Sequence, residues 1–122
     1  MARVLVIEDE ATIALILSEV LREQGHEAVT VSGGAAGLEW LRESPPPDVV
    51  LLDLFMPGLG GRDVLKAMRS DPRLKDVPVV LVTGAVPSVE DFPPNGTYQA
   101  LITKPFDLSD ITETIDACLR RR

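Results

Sequence analysis

Five short apolar runs, each about five residues long, recur along the chain and most constrain what it can fold into. They are rich in Val, Leu and Ile, and several are apolar at nearly every position, which is typical of strands covered on both faces of a parallel sheet. Longer amphipathic segments separate them, so the pattern predicts alternating strands and helices. The runs are RVLVI at 3–7, EAVTV at 27–31, DVVLL at 48–52, PVVLV at 78–82 and QALIT at 99–103.

Between these runs, apolar residues recur at helical spacing. The first helical pattern should end at Gly25, since glycine readily adopts the left-handed conformation that closes a helix. The last should begin after Asp107, a residue type that caps helix N-termini. The residues expected on buried helical faces are Ile13, Ile16, Leu17, Val20 and Leu21, then Leu38 and Leu41, then Val64, Leu65 and Met68, and finally Leu108, Ile111, Ile115 and Leu119.

This alternation predicts one doubly wound α/β domain over residues 1–122, because parallel strands need crossover connections that place helices on both faces. We expect a flavodoxin-like, five-stranded parallel sheet in the order 2-1-3-4-5. A length of 122 residues suits a single domain, and 45% hydrophobic with 25% charged residues is typical of a folded protein.

Charge and cysteine content exclude several classes of protein. A net charge of −7 opposes direct binding to nucleic acid, and the basic cluster at 120–122 is interpreted as a solvated helix end or the start of a lost linker rather than a binding patch. Cys118 is the lone cysteine, which suits a reducing cytoplasm. The sequence shows neither a signal peptide nor an apolar run of membrane-spanning length, so we expect a cytoplasmic protein without membrane contact.

Polar side chains follow four of the predicted strands. The first strand is followed by Glu8, Asp9 and Glu10, the third ends at Asp53, the fourth at Thr83, and the fifth leads into Lys104. In this fold the carboxyl ends of the strands meet at one edge, where ligands bind, and Asp9 and Asp53 should be roughly 5 Å apart.

Converging carboxylates need a compensating cation, and Mg²⁺ suits oxygen ligands. With Thr83 and Lys104 nearby, the set could hold a phosphoryl group, one carboxylate acting as nucleophile.

Four motifs together resemble the receiver domain of bacterial two-component response regulators. They are VIEDE at 6–10, LLDLFMPGLGG at 51–61, VVLVTG at 79–84 and ITKPFDLSDI at 102–111. The resemblance covers nearly the whole chain, in a single-domain form. It implies a signalling module that catalyses its own phosphotransfer and slow dephosphorylation.

The resemblance also assigns roles to the site residues. Asp53 would accept a phosphoryl group from a histidine kinase, a histidine phosphotransfer protein or a small phosphodonor. Mg²⁺ would be bound by Asp9, Asp53 and the backbone carbonyl of Phe55, with Glu8 acting through water. Thr83 and Lys104 would contact the phosphoryl oxygens, and Lys104–Pro105 would be a cis peptide. The partner receiving the signal would be a downstream effector, a lost output domain or a second copy of the chain.

Two departures from the family concern how phosphorylation is transmitted. Prolines and glycine in the segment 86–97 predict that the helix between strands four and five is short or missing. Leu101 stands where the family tends to have Tyr or Phe, and Tyr98 has the wrong offset to replace it. Apolar Phe55 and Ala85, at positions where the family tunes access of water, predict a long-lived phosphoryl group.

Two other functions compete with the switch. A Mg²⁺-dependent phosphohydrolase with an aspartyl nucleophile usually has a second aspartate two residues later, where this chain has Phe55. A receiver-like interaction domain that is never phosphorylated would not need the complete set of acids, threonine and lysine.

Overall fold

The computed structural model describes residues 2–84, 93–94 and 96–120, and strands and helices alternate along them as the apolar runs predict. Strand boundaries differ from the predicted runs by at most one residue at either end. The elements are β1 (Arg3–Ile7), α1 (Ala11–Glu23), β2 (Glu27–Val31), α2 (Gly34–Glu43), β3 (Val49–Asp53), α3 (Gly61–Ser70), β4 (Val79–Thr83), β5 (Ala100–Thr103) and α4 (Leu108–Arg120).

All five strands pair in parallel, in the order β2-β1-β3-β4-β5. The predicted flavodoxin-like sheet is therefore confirmed. The register pairs Ile7 with Leu52 across β1 and β3, and Thr83 with Thr103 across β4 and β5. The carboxyl ends of these strands consequently lie along one edge of the sheet.

Alternate residues of the central strands pack into two separate cores, one on each face of the sheet. The first core joins Val4, Val6, Val49 and Leu51 to residues of α1 and α4. The second joins the intervening strand residues to α2 and α3. Burial on both faces explains why the interiors of β1, β3 and β4 are apolar at consecutive positions rather than alternating with polar residues.

The end of α1 confirms the prediction made for Gly25. Gly25 has φ +85°, and its N–H donates to the carbonyl of Arg22 at 2.9 Å. The N–H of His26 donates to the carbonyl of Leu21 at 3.0 Å, which completes a Schellman motif.

Two predictions of buried helical residues are wrong. Ile16 is 40% exposed and Leu108 is 49% exposed, although the neighbouring Leu17 and Ile111 are buried. Both residues line an open surface groove together with Ile13, Val20 and Phe106, so no other element in the described part of the chain covers them. Trp40 packs against the core on the α2 and α3 side, and Cys118 is buried.

The prediction about a helix between β4 and β5 falls mostly on residues outside the described ranges. Tyr98, which is described, packs against the core on the α2 and α3 side. None of the helices in the described part of the chain has both the length and the apolar character needed to cross a membrane.

We predict that Gly61→Ala destabilises the protein, although alanine normally favours a helix. A Cβ at Gly61 would overlap the carbonyl oxygen of Asp53 and lie 2.8 Å from the Cα of Leu54, and these backbone atoms have little room to move. The free energy of unfolding in urea should fall by about 1–3 kcal/mol. Gly60→Ala is the matched control, because its Cβ would lie at an ordinary 3.6 Å from the nearest atom; an equal loss in both variants would contradict this explanation.

Candidate functional site

The sheet brings the predicted site residues together at its carboxyl edge. Glu8 and Asp9 follow β1 directly, Asp53 is the last residue of β3, Thr83 the last of β4, and Lys104 follows β5. Each side chain therefore occupies the point where a strand leaves the core.

Three carboxylates form a cluster at this edge. One oxygen from each of Glu8, Asp9 and Asp53 lies within 4.8 Å of the other two. Glu8 and Asp53 are only 2% and 4% exposed, whereas Asp9 is more open to solvent. Oxygen donors at this separation, with one side open to water, suit a hard divalent cation, so the residues present fit a metal site.

Lys104 supplies a positive charge to the cluster. Its Nζ lies 3.2 and 3.3 Å from the two carboxylate oxygens of Glu8 and 3.5 Å from Oδ2 of Asp53. The predicted proximity of Lys104 to Asp53 is present, but the shorter contacts are to Glu8. One ammonium does not balance the surrounding carboxylates, which leaves the site with excess negative charge.

The environment of Asp53 raises its pKa from 3.8 to about 7. Burial is the largest cause, because it disfavours the charged form, and the nearby Glu8 carboxylate adds to it. The Lys104 ammonium and the N–H of Phe55 oppose the shift. For Lys104, burial by itself would lower the pKa, but Asp53 and Glu8 outweigh it and raise the pKa.

The loop after Asp53 places Phe55 beside the carboxylate. The backbone N–H of Phe55 donates to Oδ1 of Asp53 at 3.2 Å, and its side chain is 43% exposed. On the other side of Asp53, Thr83 is buried, and its carbonyl accepts the N–H of Lys104 at 2.7 Å. The Lys104–Pro105 peptide is cis, as the resemblance implied.

Glu10 also contacts Lys104, although no role was assigned to it. Its Oε1 lies 4.0 Å from Nζ of Lys104, and its backbone N–H donates to Oε1 of Glu8 at 3.3 Å. This contact could have been predicted from the sequence, because Glu10 belongs to the same acidic run after β1 as Glu8 and Asp9.

Comparison with known proteins identifies the family to which this chain belongs. Residues 4–116 match the response regulator receiver domain family, and the chain belongs to this family. Receiver domains of this family are signalling modules.

Three relatives illustrate the similarity. The DNA-binding response regulator MtrA of Mycobacterium tuberculosis is 35% identical over 120 residues, covering 98% of this chain but 51% of MtrA. Protein PilH of Pseudomonas aeruginosa is 31% identical and is covered over 98% of both chains. The solved structure of chemotaxis protein CheY4 of Vibrio cholerae has a TM-score of 0.88 at 25% identity, covering 98% of this chain and 99% of CheY4. This chain thus spans about half the length of the MtrA proteins and almost all of PilH.

We predict that Asp53→Asn stabilises the metal-free protein increasingly as pH rises. A carboxyl whose pKa is raised on folding binds its proton more tightly in the folded state, so wild type loses stability between about pH 4 and pH 7, and the asparagine variant avoids this loss. Above pH 7 the variant should be more stable by on the order of 1 kcal/mol or more.

Urea unfolding in EDTA at several pH values measures the difference between Asp53→Asn and wild type. Asp116→Asn, at an exposed position on α4, is the control. A difference that stays constant from pH 4 to pH 8 would exclude a raised pKa at Asp53.

Proposed function

We propose that this receiver domain is a phosphoacceptor switch and that Asp53 is the residue phosphorylated. The observation that carries this proposal is the position of the Asp53 carboxylate, buried at the sheet edge, 3.5 Å from the Lys104 ammonium and clustered with two further carboxylates. The donor is the phosphohistidine of a histidine kinase or of a histidine phosphotransfer protein, or a small phosphodonor.

The chemistry is a direct transfer between two nucleophiles. A carboxylate oxygen of Asp53 attacks phosphorus and forms an O–P bond, while the P–N bond of the phosphohistidine breaks and its electron pair returns to the imidazole. Lys104 neutralises charge on the transferred group, and the Thr83 hydroxyl donates a hydrogen bond to it. Both roles suit their positions at the ends of β5 and β4.

Mg²⁺ is the cofactor we assign to the acidic cluster. Asp9, Asp53 and the backbone carbonyl of Phe55 would hold it, and Glu8 would act through water. When bound, the ion supplies positive charge that favours the ionised form of Asp53 and neutralises phosphoryl oxygens. The fit rests on an oxygen-only donor set that one lysine leaves under-neutralised.

Phosphorylation then acts as a local electrostatic event. The new phosphoryl oxygens compete with Glu8 for Lys104, and the resulting movement alters the surface that a downstream effector, an output domain or a second copy contacts. Leu101, 37% exposed on β5, does not provide the aromatic side chain expected at its position, so the movement is transmitted differently here. We place the whole chain in one receiver domain working in the cytoplasm, where a lone cysteine such as Cys118 stays reduced.

The phosphohydrolase alternative receives no support from the relatives, since MtrA is a DNA-binding response regulator and CheY4 is a chemotaxis protein. Phe55 also occupies the position where such an enzyme needs a second acid, and its side chain cannot transfer a proton.

We predict that acetyl phosphate with Mg²⁺ adds one phosphate to the wild-type protein and none to Asp53→Asn, because asparagine lacks the nucleophilic oxygen. Intact-protein mass spectrometry measures the addition. Asp63→Asn, at the beginning of α3, is the matched control and should be labelled like wild type. Labelling of Asp53→Asn at the wild-type level would overturn the assignment, and labelling unaffected by EDTA would remove the role given to Mg²⁺.

We predict that Phe55→Asn shortens the lifetime of the phosphoryl group, because it replaces an apolar ring beside Asp53 with a group that can orient water. The phosphoryl group of this variant should be lost at least about threefold faster after the donor is removed. The decay is followed by mass spectrometry, with Phe55→Leu as an apolar control. A half-life of Phe55→Asn equal to that of wild type would show that Phe55 does not limit access of water. Ala85, the other position expected to do so, lies outside the described residues.

A further inference from the structure

The strand β5 leads into Lys104, and in the described part of the chain it pairs with another strand on one side only. In the five-stranded sheet it is the outer neighbour of β4, and it is four residues long. A slip of one residue in its register would turn every side chain to the opposite face. The position of Lys104 therefore depends on what fixes β5 against β4.

At the carboxyl end, the N–H of Lys104 donates to the carbonyl of Thr83 at 2.7 Å. At the opposite end, Gln99 binds both backbone groups of Val79, the first residue of β4. The N–H of Gln99 donates to the carbonyl of Val79 at 2.9 Å, and Oε1 of Gln99 accepts the N–H of Val79 at 2.6 Å. A side-chain amide thus extends the pairing of β4 and β5 by one residue.

Arg69, near the end of α3, fixes this amide in turn. Its Nη2 lies 3.5 Å from Oε1 of Gln99, and its Nε donates to the carbonyl of Thr97 at 2.8 Å. Its Nη1 donates to the carbonyls of Leu74 and Lys75 at 3.2 and 3.1 Å, within the connection between α3 and β4. Through this half-buried guanidinium, Arg69 of α3 connects the segment between α3 and β4 to the residues just before β5.

We propose that Arg69 and Gln99 are positioning residues for Lys104: they fix β5 in register from the end of the strand opposite to the site. As far as it concerns phosphotransfer, this inference rests on the proposed function. Neither side chain touches the reacting atoms. They act through the backbone of β5. A loss of register in β5 would move Lys104 but would not move the acids that follow β1 and end β3.

This arrangement separates two properties of the site. The carboxylates that fit a metal belong to β1, β3 and the residues after them, which pair independently of β5. Loss of the Arg69 and Gln99 contacts should impair phosphotransfer without weakening the binding of Mg²⁺, because the carboxylates stay in place and a displaced Lys104 ammonium would leave them more negative. A variant that is only less stable overall should not slow phosphotransfer selectively, provided that the measurement is made at a temperature where every variant is folded.

The test uses Arg69→Met and Gln99→Met, which remove the hydrogen bonds and keep most of the side-chain volume. Phosphorylation by acetyl phosphate at saturating Mg²⁺ should slow by about threefold to tenfold in both. The affinity for Mg²⁺, measured by calorimetry, should equal or exceed that of wild type. Gln99→Glu keeps the acceptor oxygen and should restore the wild-type rate.

Arg73→Met is the matched control. Arg73 also binds carbonyl oxygens through its guanidinium, those of Leu41 and Ser44, but it secures the end of α2 rather than β5. This variant should lose stability without slowing phosphotransfer. An equal slowing in Arg73→Met and Arg69→Met, or a wild-type rate in both Arg69→Met and Gln99→Met, would overturn the proposal.

Amide hydrogen exchange provides a readout that needs no phosphorylation. Exchange at the N–H of Lys104 should accelerate in Arg69→Met and Gln99→Met but not in Arg73→Met. This N–H donates to the carbonyl of Thr83, so its exchange rate measures how firmly the end of β5 nearest the site is paired with β4. If wild type accepts no phosphate, the proposed function fails, and exchange alone decides the positioning role. Unchanged exchange at Lys104 in both variants would refute it.

Discussion

The parallel pairing of β1 with β3 at the centre of the sheet is the constraint on which the site depends. The register places Ile7 opposite Leu52, so the next residues along the two strands, Glu8 and Asp53, lie side by side. Both strands are buried on each face, and a slip of one residue would exchange the two cores. The same apolar packing that stabilises the fold therefore forces two carboxylates into contact.

This forced contact explains the electrostatic character of the site. Asp53 would be an unfavourable residue at a buried strand end if stability were the only requirement, because burial and Glu8 both oppose its charge. Lys104 relieves part of this cost, but it divides its contacts among Glu8, Asp53 and Glu10. A site that remains too negative is suited to bind a cation, and ionisable groups with shifted pKa values are concentrated where proteins carry out chemistry.

Much of this arrangement could be predicted from the sequence, because it follows from local patterns. The apolar runs predicted the strands, Gly25 predicted the end of α1, and the strand ends predicted which polar side chains converge. Periodicity was less informative at Ile16 and Leu108, because it indicates the direction of an apolar face but not how much of that face a neighbour covers. Arg69 and Gln99 are 30 residues apart and belong to no repeating pattern, so only the folded chain brings them together.

The two halves of the site differ in how firmly the fold holds them. The acidic half belongs to β1 and β3, each of which has a strand on both sides. The basic half follows β5, which among the described strands pairs with β4 alone, and a side-chain hydrogen bond at its beginning supplements its four residues of pairing. In a switch, the rigid half should hold the acceptor and the cation, while the half held from one side can move towards a new charge. The place of Lys104 on an outer strand is therefore consistent with its being the part of the site that moves.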